Sequence, residues 1–147
     1  MTAIEKIRQR LSQLHETAPE SVGDLLRLQP LEYDEQRQEI LFAGKTEAWM
    51  RNPQGTLHGG MCATIADQAM GAVAYCVKPG EGIAPAIELH LNYHRPLIPG
   101  EGVLILVRVV SVTKSLIHVA AALFRETEPD KLCVSSTATY FYKALER

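Results

Sequence analysis

Ile4, Ile7, Leu11 and Leu14 recur at three- and four-residue steps through the charged stretch MTAIEKIRQRLSQLHE, a spacing that gathers them on one face of a helix. Charges spread along the whole stretch make it an amphipathic helix over residues 1–16 rather than a secretion leader. Beyond the turn-rich TAPESVGD, the segments LLRLQPLEY and EILFAGKTEAW flank the polar DEQRQ, which predicts two antiparallel strands. The loop MRNPQGTLHGG opens a second helix over 60–77, stopped by KPGEG. Four further strands are expected at Ala84–Arg95, Gly102–Val112, Leu116–Glu126 and Leu132–Tyr142. The links between them, PLIPGEG, TKS and TEPDK, are too short for crossover helices, so the four should form an antiparallel meander.

Polarity along these elements predicts how they pack. In the first of the four strands Ile87, Leu89, Leu91 and Tyr93 oppose Glu88, His90, Asn92 and His94, the alternation of a half-buried strand. VLILVRVV is apolar on both faces apart from Arg108, which suits a central strand with a helix on one side and a second subunit on the other. In the second helix Ala63, Ile65, Ala66, Ala69, Met70, Ala72, Val73, Ala74 and Cys76 cover every sector, the profile of a buried helix. The expected architecture is α+β: about six antiparallel strands wrapped around one long central helix, with an extra helix at the N-terminus. No repeat or low-complexity tract divides the 147 residues, so one domain over 1–147 is expected.

Composition narrows the functional classes. With 46% hydrophobic and 22% charged residues, the chain has the makeup of a folded globular protein. A net charge of -2 provides no field to draw in nucleic acid or an anionic membrane. Asp67 and Gln68 interrupt the longest apolar run, which falls short of the roughly 18 residues a membrane span needs. Three widely spaced cysteines, Cys62, Cys76 and Cys133, read as buried thiols of a reducing compartment. A cytoplasmic protein is expected.

The central helix holds the one anomaly. Asp67 sits among small apolar residues in GTLHGGMCATIADQAMGAVAYC, where an ionised group must be paired or put to use. Gly59 and Gly60 open the same helix, leaving unpaired amide N–H groups and the positive dipole end with little side-chain bulk in front of them, an oxyanion hole in outline. Eight residues separate Gly59 from Asp67, about 12 Å of helix rise. A base and an oxyanion donor must both lie within about 3 Å of the reacting centre. Two antiparallel copies of the helix across a twofold axis would bring each Asp67 to the glycine turn of the other chain, so a catalytic reading requires an obligate homodimer.

NPQGTLHGGMCATIADQAMGAVA resembles the central segment of hotdog-fold acyl-CoA thioesterases of the phenylacetate-degradation and thioesterase-superfamily type, in which an Asn, a loop and His-Gly-Gly precede an Asp on the helix. IELHLNYHRPLIPGE resembles that family's next strand and turn, and the likeness runs over roughly residues 25–143. The resemblance implies hydrolysis of an acyl-CoA thioester with no metal or organic cofactor. The Gly59 amide would polarise the carbonyl, Asn52 would hold the carbonyl or the water, and Asp67 of the other subunit would activate water or attack directly. His58 would shape the loop and assist the leaving thiolate. Gly60, Met61, Ile65, Ala66 and Met70 would border the acyl group, while Arg95, Lys114, Ser115 and Lys78 would lie toward the CoA phosphates. Relatives carry Ser or Thr seven residues before the Tyr of the NY strand, and this chain has Ala86 there. A dimer of dimers is expected.

Other chemistry is less well served. His90 and His94 lie about 13 Å apart along a strand and cannot share an ion, which leaves a set such as Glu88 and His90 with His118 as metal ligands. Cys62 near His58 would need a depressed pKa to act as a nucleophile. A hotdog acyl-thioester dehydratase would need its His poised for proton abstraction, and His58 abuts the glycine turn. A non-catalytic acyl-CoA sensor would have no use for Asp67.

Overall fold

A computed structural model describes residues 1–146. Two helices, α1 (Ala3–Thr17) and α2 (Val22–Leu26), precede strands β1 (Gln29–Asp34) and β2 (Glu39–Lys45). After a 3-10 turn at Ala48–Met50 comes the long helix α3 (Gly59–Cys76). The chain then runs through β3 (Gly82–Ile83), β4 (Ala86–Tyr93), β5 (Gly102–Val112), β6 (Leu116–Arg125), β7 (Glu128–Phe141) and β8 (Lys143–Ala144). Six strands form one antiparallel sheet in the order β1-β2-β5-β6-β7-β4, and β3 pairs with β8. Wrapped around α3, this is the hotdog arrangement expected. Among the described residues no helix is long and apolar enough to cross a membrane.

Local chemistry sets the helix ends. Thr2 and Glu5 close a capping box at the start of α1, each satisfying an amide that would otherwise lack a partner. Gly80, at φ +82°, adopts the left-handed turn just past α3, a conformation that glycine enters at little cost. The core lies between α3 and the concave face of the sheet, where Ile65, Met70, Phe42, Ile105, Ile117, Val119 and Tyr140 are fully buried.

Four expectations need correction. LLRLQPLEY is not all strand: Ser21 caps α2 by accepting from the Asp24 amide, and Arg27 closes it in the left-handed conformation, so pairing begins at Gln29. The last four strands do not form a continuous meander. The β4–β5 link carries the chain across the sheet, so β5 pairs with β2 and β6, and β4 becomes an edge beside β7. Consequently β4 is not half-buried. Ile87 is 60% exposed, Leu89 37% and Tyr93 58%, and only Leu91 packs partly against the core. Finally, α3 is not enclosed all round. Ala63, Thr64, Asp67, Gln68, Gly71 and Tyr75 are only half-buried, a stripe at three- and four-residue steps that α1 covers in part.

The two sheet edges differ. At β1, Pro30 and a register break beside it spoil the ladder, devices that discourage pairing with another chain. At β4 a register break is confined to the Ala86–Glu88 end, and register with β7 is unbroken from Glu88 to Tyr93, leaving an open row of backbone groups beside exposed apolar side chains.

Candidate active site

The α3 N-terminus is built by the loop before it. Asn52 Oδ1 accepts from the amides of Gln54 and Thr56, both at 3.1 Å, and Nδ2 donates to Thr56 Oγ1 at 2.8 Å. Asn52 therefore shapes its own loop, with one side-chain N–H left over. The His58 amide donates to Met50 O at 2.8 Å, and its Nδ1 accepts the Gly60 N–H at 2.9 Å. His58 is thus the N-cap of α3. An accepting Nδ1 carries no proton, so the neutral ring holds its hydrogen on Nε2.

This capping separates the two glycines. The Gly60 N–H is taken by His58, while those of Met61 and Cys62 both go to His58 O. Among the described residues nothing accepts the Gly59 N–H, which is the open donor at the positive end of the helix. Tyr93 Oη, from the end of β4, donates to Gly59 O at 2.8 Å. Neither Tyr93 nor Tyr140 stands out in the sequence, since a strand tyrosine is ordinary and only the fold puts these beside α3.

Gly60 must be small for His58 to cap. A Cβ there would lie 3.0 Å from Nδ1. Replacing a helical glycine by alanine gains up to ~1 kcal/mol of propensity, and losing the cap costs about as much. Gly60→Ala is therefore expected to melt within about 4 °C of wild type, while ¹⁵N spectra of the His58 ring show the single Nε2–H tautomer giving way to a mixture. A ring left in one tautomer would contradict the cap.

Asp67 lies further along α3. Tyr140 Oη donates to its Oδ1 at 2.8 Å and to its carbonyl at 3.1 Å, and nothing among the described residues donates to Oδ2. Burial, followed by the neighbouring Asp67 charge, pushes the Tyr140 hydroxyl far above its ordinary range, so it stays a donor. Asp67 faces a cleft of about 320 Å³ that Arg10, Leu11 and Leu14 of α1 close from one side and Ala84–Ala86 from another. Ala86 lies in this cleft and pairs with Tyr140. Arg10 is held over the Tyr75 ring at 4.0 Å, anchoring α1 as part of the wall. A larger hollow of about 720 Å³ lies on the other flank of α1. Its one carboxylate, Asp24, is occupied by the Glu20 amide at 2.9 Å and by His15, so the acid with a free oxygen is the one in the smaller cleft.

Within one chain Asp67 and the Gly59 turn stay apart. Met61 is half-buried beside the turn, whereas Ile65 is 1% exposed and Ala66 and Met70 are sealed in the core. Arg95 is exposed after β4, its Nη1 reaching Leu132 O at 3.4 Å. Lys114 and Ser115 form the β5–β6 turn, far along the chain from both. Lys78 donates to Lys114 O and lies over the Tyr142 ring, so its charge is partly engaged in closing the end of α3. Burial raises the Cys62 thiol to about 11, which removes it as a thiolate nucleophile at neutral pH. No group of three or more metal-ligating side chains occurs among the described residues.

The Thioesterase superfamily model matches residues 54–131, the span from the donor turn to β7. Mouse acyl-coenzyme A thioesterase 13 is 28% identical over 92 residues, which cover 61% of this chain. The match spans 64% of that relative's own length. A mutant thioesterase from Pseudomonas aeruginosa superposes with a TM-score of 0.77, at 19% identity and 94% coverage of both chains. A Streptococcus mutans protein solved bound to acetyl CoA superposes with a TM-score of 0.68, at 19% identity over 82% of this chain and 92% of its own.

Proposed function

Since the chain belongs to the thioesterase superfamily, we propose that it hydrolyses acyl-CoA thioesters to free acid and CoA at a site shared between two subunits. Membership supports thioesterase-type hydrolysis. The choice of acyl-CoA draws on the mouse relative and on the acetyl CoA bound to the streptococcal protein.

The observation that carries the shared site is the pair of tyrosine bonds. Asp67 is tied through Tyr140 to Ala86, at the start of β4, and Gly59 is tied through Tyr93 to its end. Those ends stand about 24 Å apart along one strand. Antiparallel pairing of β4 with its own copy, centred near Leu89 and His90, would lay Ala86 of one strand beside the partner's Tyr93. The same pairing carries Asp67 toward the partner's Gly59 turn and covers the unprotected edge.

In this arrangement the thioester carbonyl takes the open Gly59 N–H as the carbonyl oxygen gains charge. Oδ2 of Asp67, free while Tyr140 holds Oδ1, accepts the proton of the attacking water, or attacks the carbonyl itself. Asn52 holds the donor loop in shape. The acyl group enters the cleft beneath α1, and Ala86 leaves there the room a hydroxyl side chain would fill. Arg95, Lys114 and Ser115 supply polar groups toward the CoA phosphates.

Acyl-CoAs of varied chain length and aromatic character, assayed with a thiol reagent, test the activity. Release of CoA from at least one is expected, and none from any would refute the reading. With a 3-hydroxyacyl-CoA the expected product is free thiol, and an enoyl product would mark a dehydratase instead. Leu89→Lys sets a charge on the exposed apolar side of β4 and is expected to halve the mass seen by sedimentation. A variant that keeps the wild-type mass would place the subunit contact elsewhere.

A further inference from the structure

We infer that Tyr93 is a positioning residue for the donor turn: through the Gly59–Gly60 peptide, its hydroxyl fixes the tautomer and orientation of His58 and thereby the aim of the Gly59 amide. The inference rests on the shared-site reading above for its effect on turnover, and on hydrogen-bond geometry alone for its effect on the ring.

One planar group receives both bonds. Tyr93 Oη donates to Gly59 O at 2.8 Å, and the N–H of that same peptide unit, belonging to Gly60, donates to His58 Nδ1 at 2.9 Å. Because the peptide is rigid, its C=O and N–H cannot be re-aimed separately. A hydrogen bond to the carbonyl also polarises the unit and strengthens its N–H as a donor. The three groups form a chain from the edge strand to the imidazole. With Nδ1 engaged, the ring keeps its hydrogen on Nε2.

Two features mark the contact as specific. Tyr93 is 58% exposed, so its ring is not held by the core, and Gly59 O is the only polar partner its hydroxyl has among the described residues. A Cβ on residue 59 would stand 3.2 Å from that hydroxyl and 3.4 Å from the ring carbon bearing it, so the close approach of Tyr93 is itself a reason for glycine there. Partial desolvation of the hydroxyl, followed by the neighbouring Cys62, raises it above the ordinary tyrosine range, so it is a donor at neutral pH. Since Tyr93 closes the strand that would pair with the partner, the donor turn is braced by the same element that would complete the dimer.

Tyr93→Phe in the full-length protein keeps the ring and deletes only the bond. In ¹⁵N spectra the His58 ring is expected to pass from one Nε2–H tautomer to a mixture, with unchanged circular dichroism and mass. On an acyl-CoA that the wild type turns over, kcat should fall about 10-fold with KM within about twofold, the pattern of a misaimed transition-state contact. Combined with Gly60→Ala, which disturbs the other end of the chain, the loss should not exceed that of the more damaged single variant. A His58 ring locked in the wild-type tautomer in Tyr93→Phe overturns the inference, as does an unchanged kcat or a fully additive double variant. If no acyl-CoA is hydrolysed by the wild type, it is the shared-site reading that fails, and the ring spectrum alone decides the role of Tyr93.

Discussion

Gly59→Pro is expected to lower acyl-CoA turnover by about 10²–10³-fold, the usual consequence of removing one oxyanion donor, while the protein stays folded. Residue 59 is the first of α3, the position where proline is most welcome in a helix because its missing N–H had no intrahelical partner. The preceding residue, His58, has φ -56° and ψ 134°, within the extended region that a following proline imposes. The substitution therefore subtracts the amide that, among the described residues, the start of α3 leaves open. Gly59→Ala is the matched control, because it keeps the N–H and adds only a Cβ 3.2 Å from Tyr93 Oη, which that exposed side chain can relieve by a small shift. Steady-state kinetics on both variants should show proline far more damaging than alanine. Equal losses would mean that steric crowding matters and the amide does not.

Asp67→Asn should cost at least about 10²-fold in turnover. The amide oxygen of asparagine can still accept from Tyr140, so the local packing is kept and the change falls on basicity. Mixing the two inactive variants distinguishes a shared site from a self-contained one. In a heterodimer of Asp67→Asn with Gly59→Pro, one site takes an intact aspartate from one chain and an intact amide from the other, and the second site has neither. Refolded at equal ratio, half of the dimers are mixed, each with one sound site, so about one quarter of wild-type activity should return. A mixture as inactive as its components would show that each subunit works alone, and the paired-strand arrangement would have to be abandoned.

Much of the architecture was legible because the controlling signals are local. Period-3.6 and period-2 patterns located α1 to within two residues, α3 to within one, and the bounds of β5 to the residue. Where competing local signals overlapped, reading failed: Leu25 and Leu26 look like the start of a strand, yet Ser21 capping and the left-handed Arg27 draw them into α2. The candidate site divides in the same way. The isolated acid at Asp67 and the paired glycines are visible as departures from an apolar helix. That Gly60 is occupied by His58 and Gly59 is open follows from where one imidazole points, which no spacing rule encodes.

By itself, then, the sequence determined most of the helices and strands, that α3 carries a carboxylate out of keeping with its neighbours, and that about 12 Å of helix separate it from the donor turn, since periodicity and rise belong to the backbone alone. Only the tertiary structure decided that β4 is an unguarded edge and not an inner strand, that α1 closes the Asp67 cleft, and that two tyrosines link the acid and the turn to opposite ends of one strand. Strand order depends on which distant segments pair, and that is settled by burial across the whole sheet rather than by any window of residues.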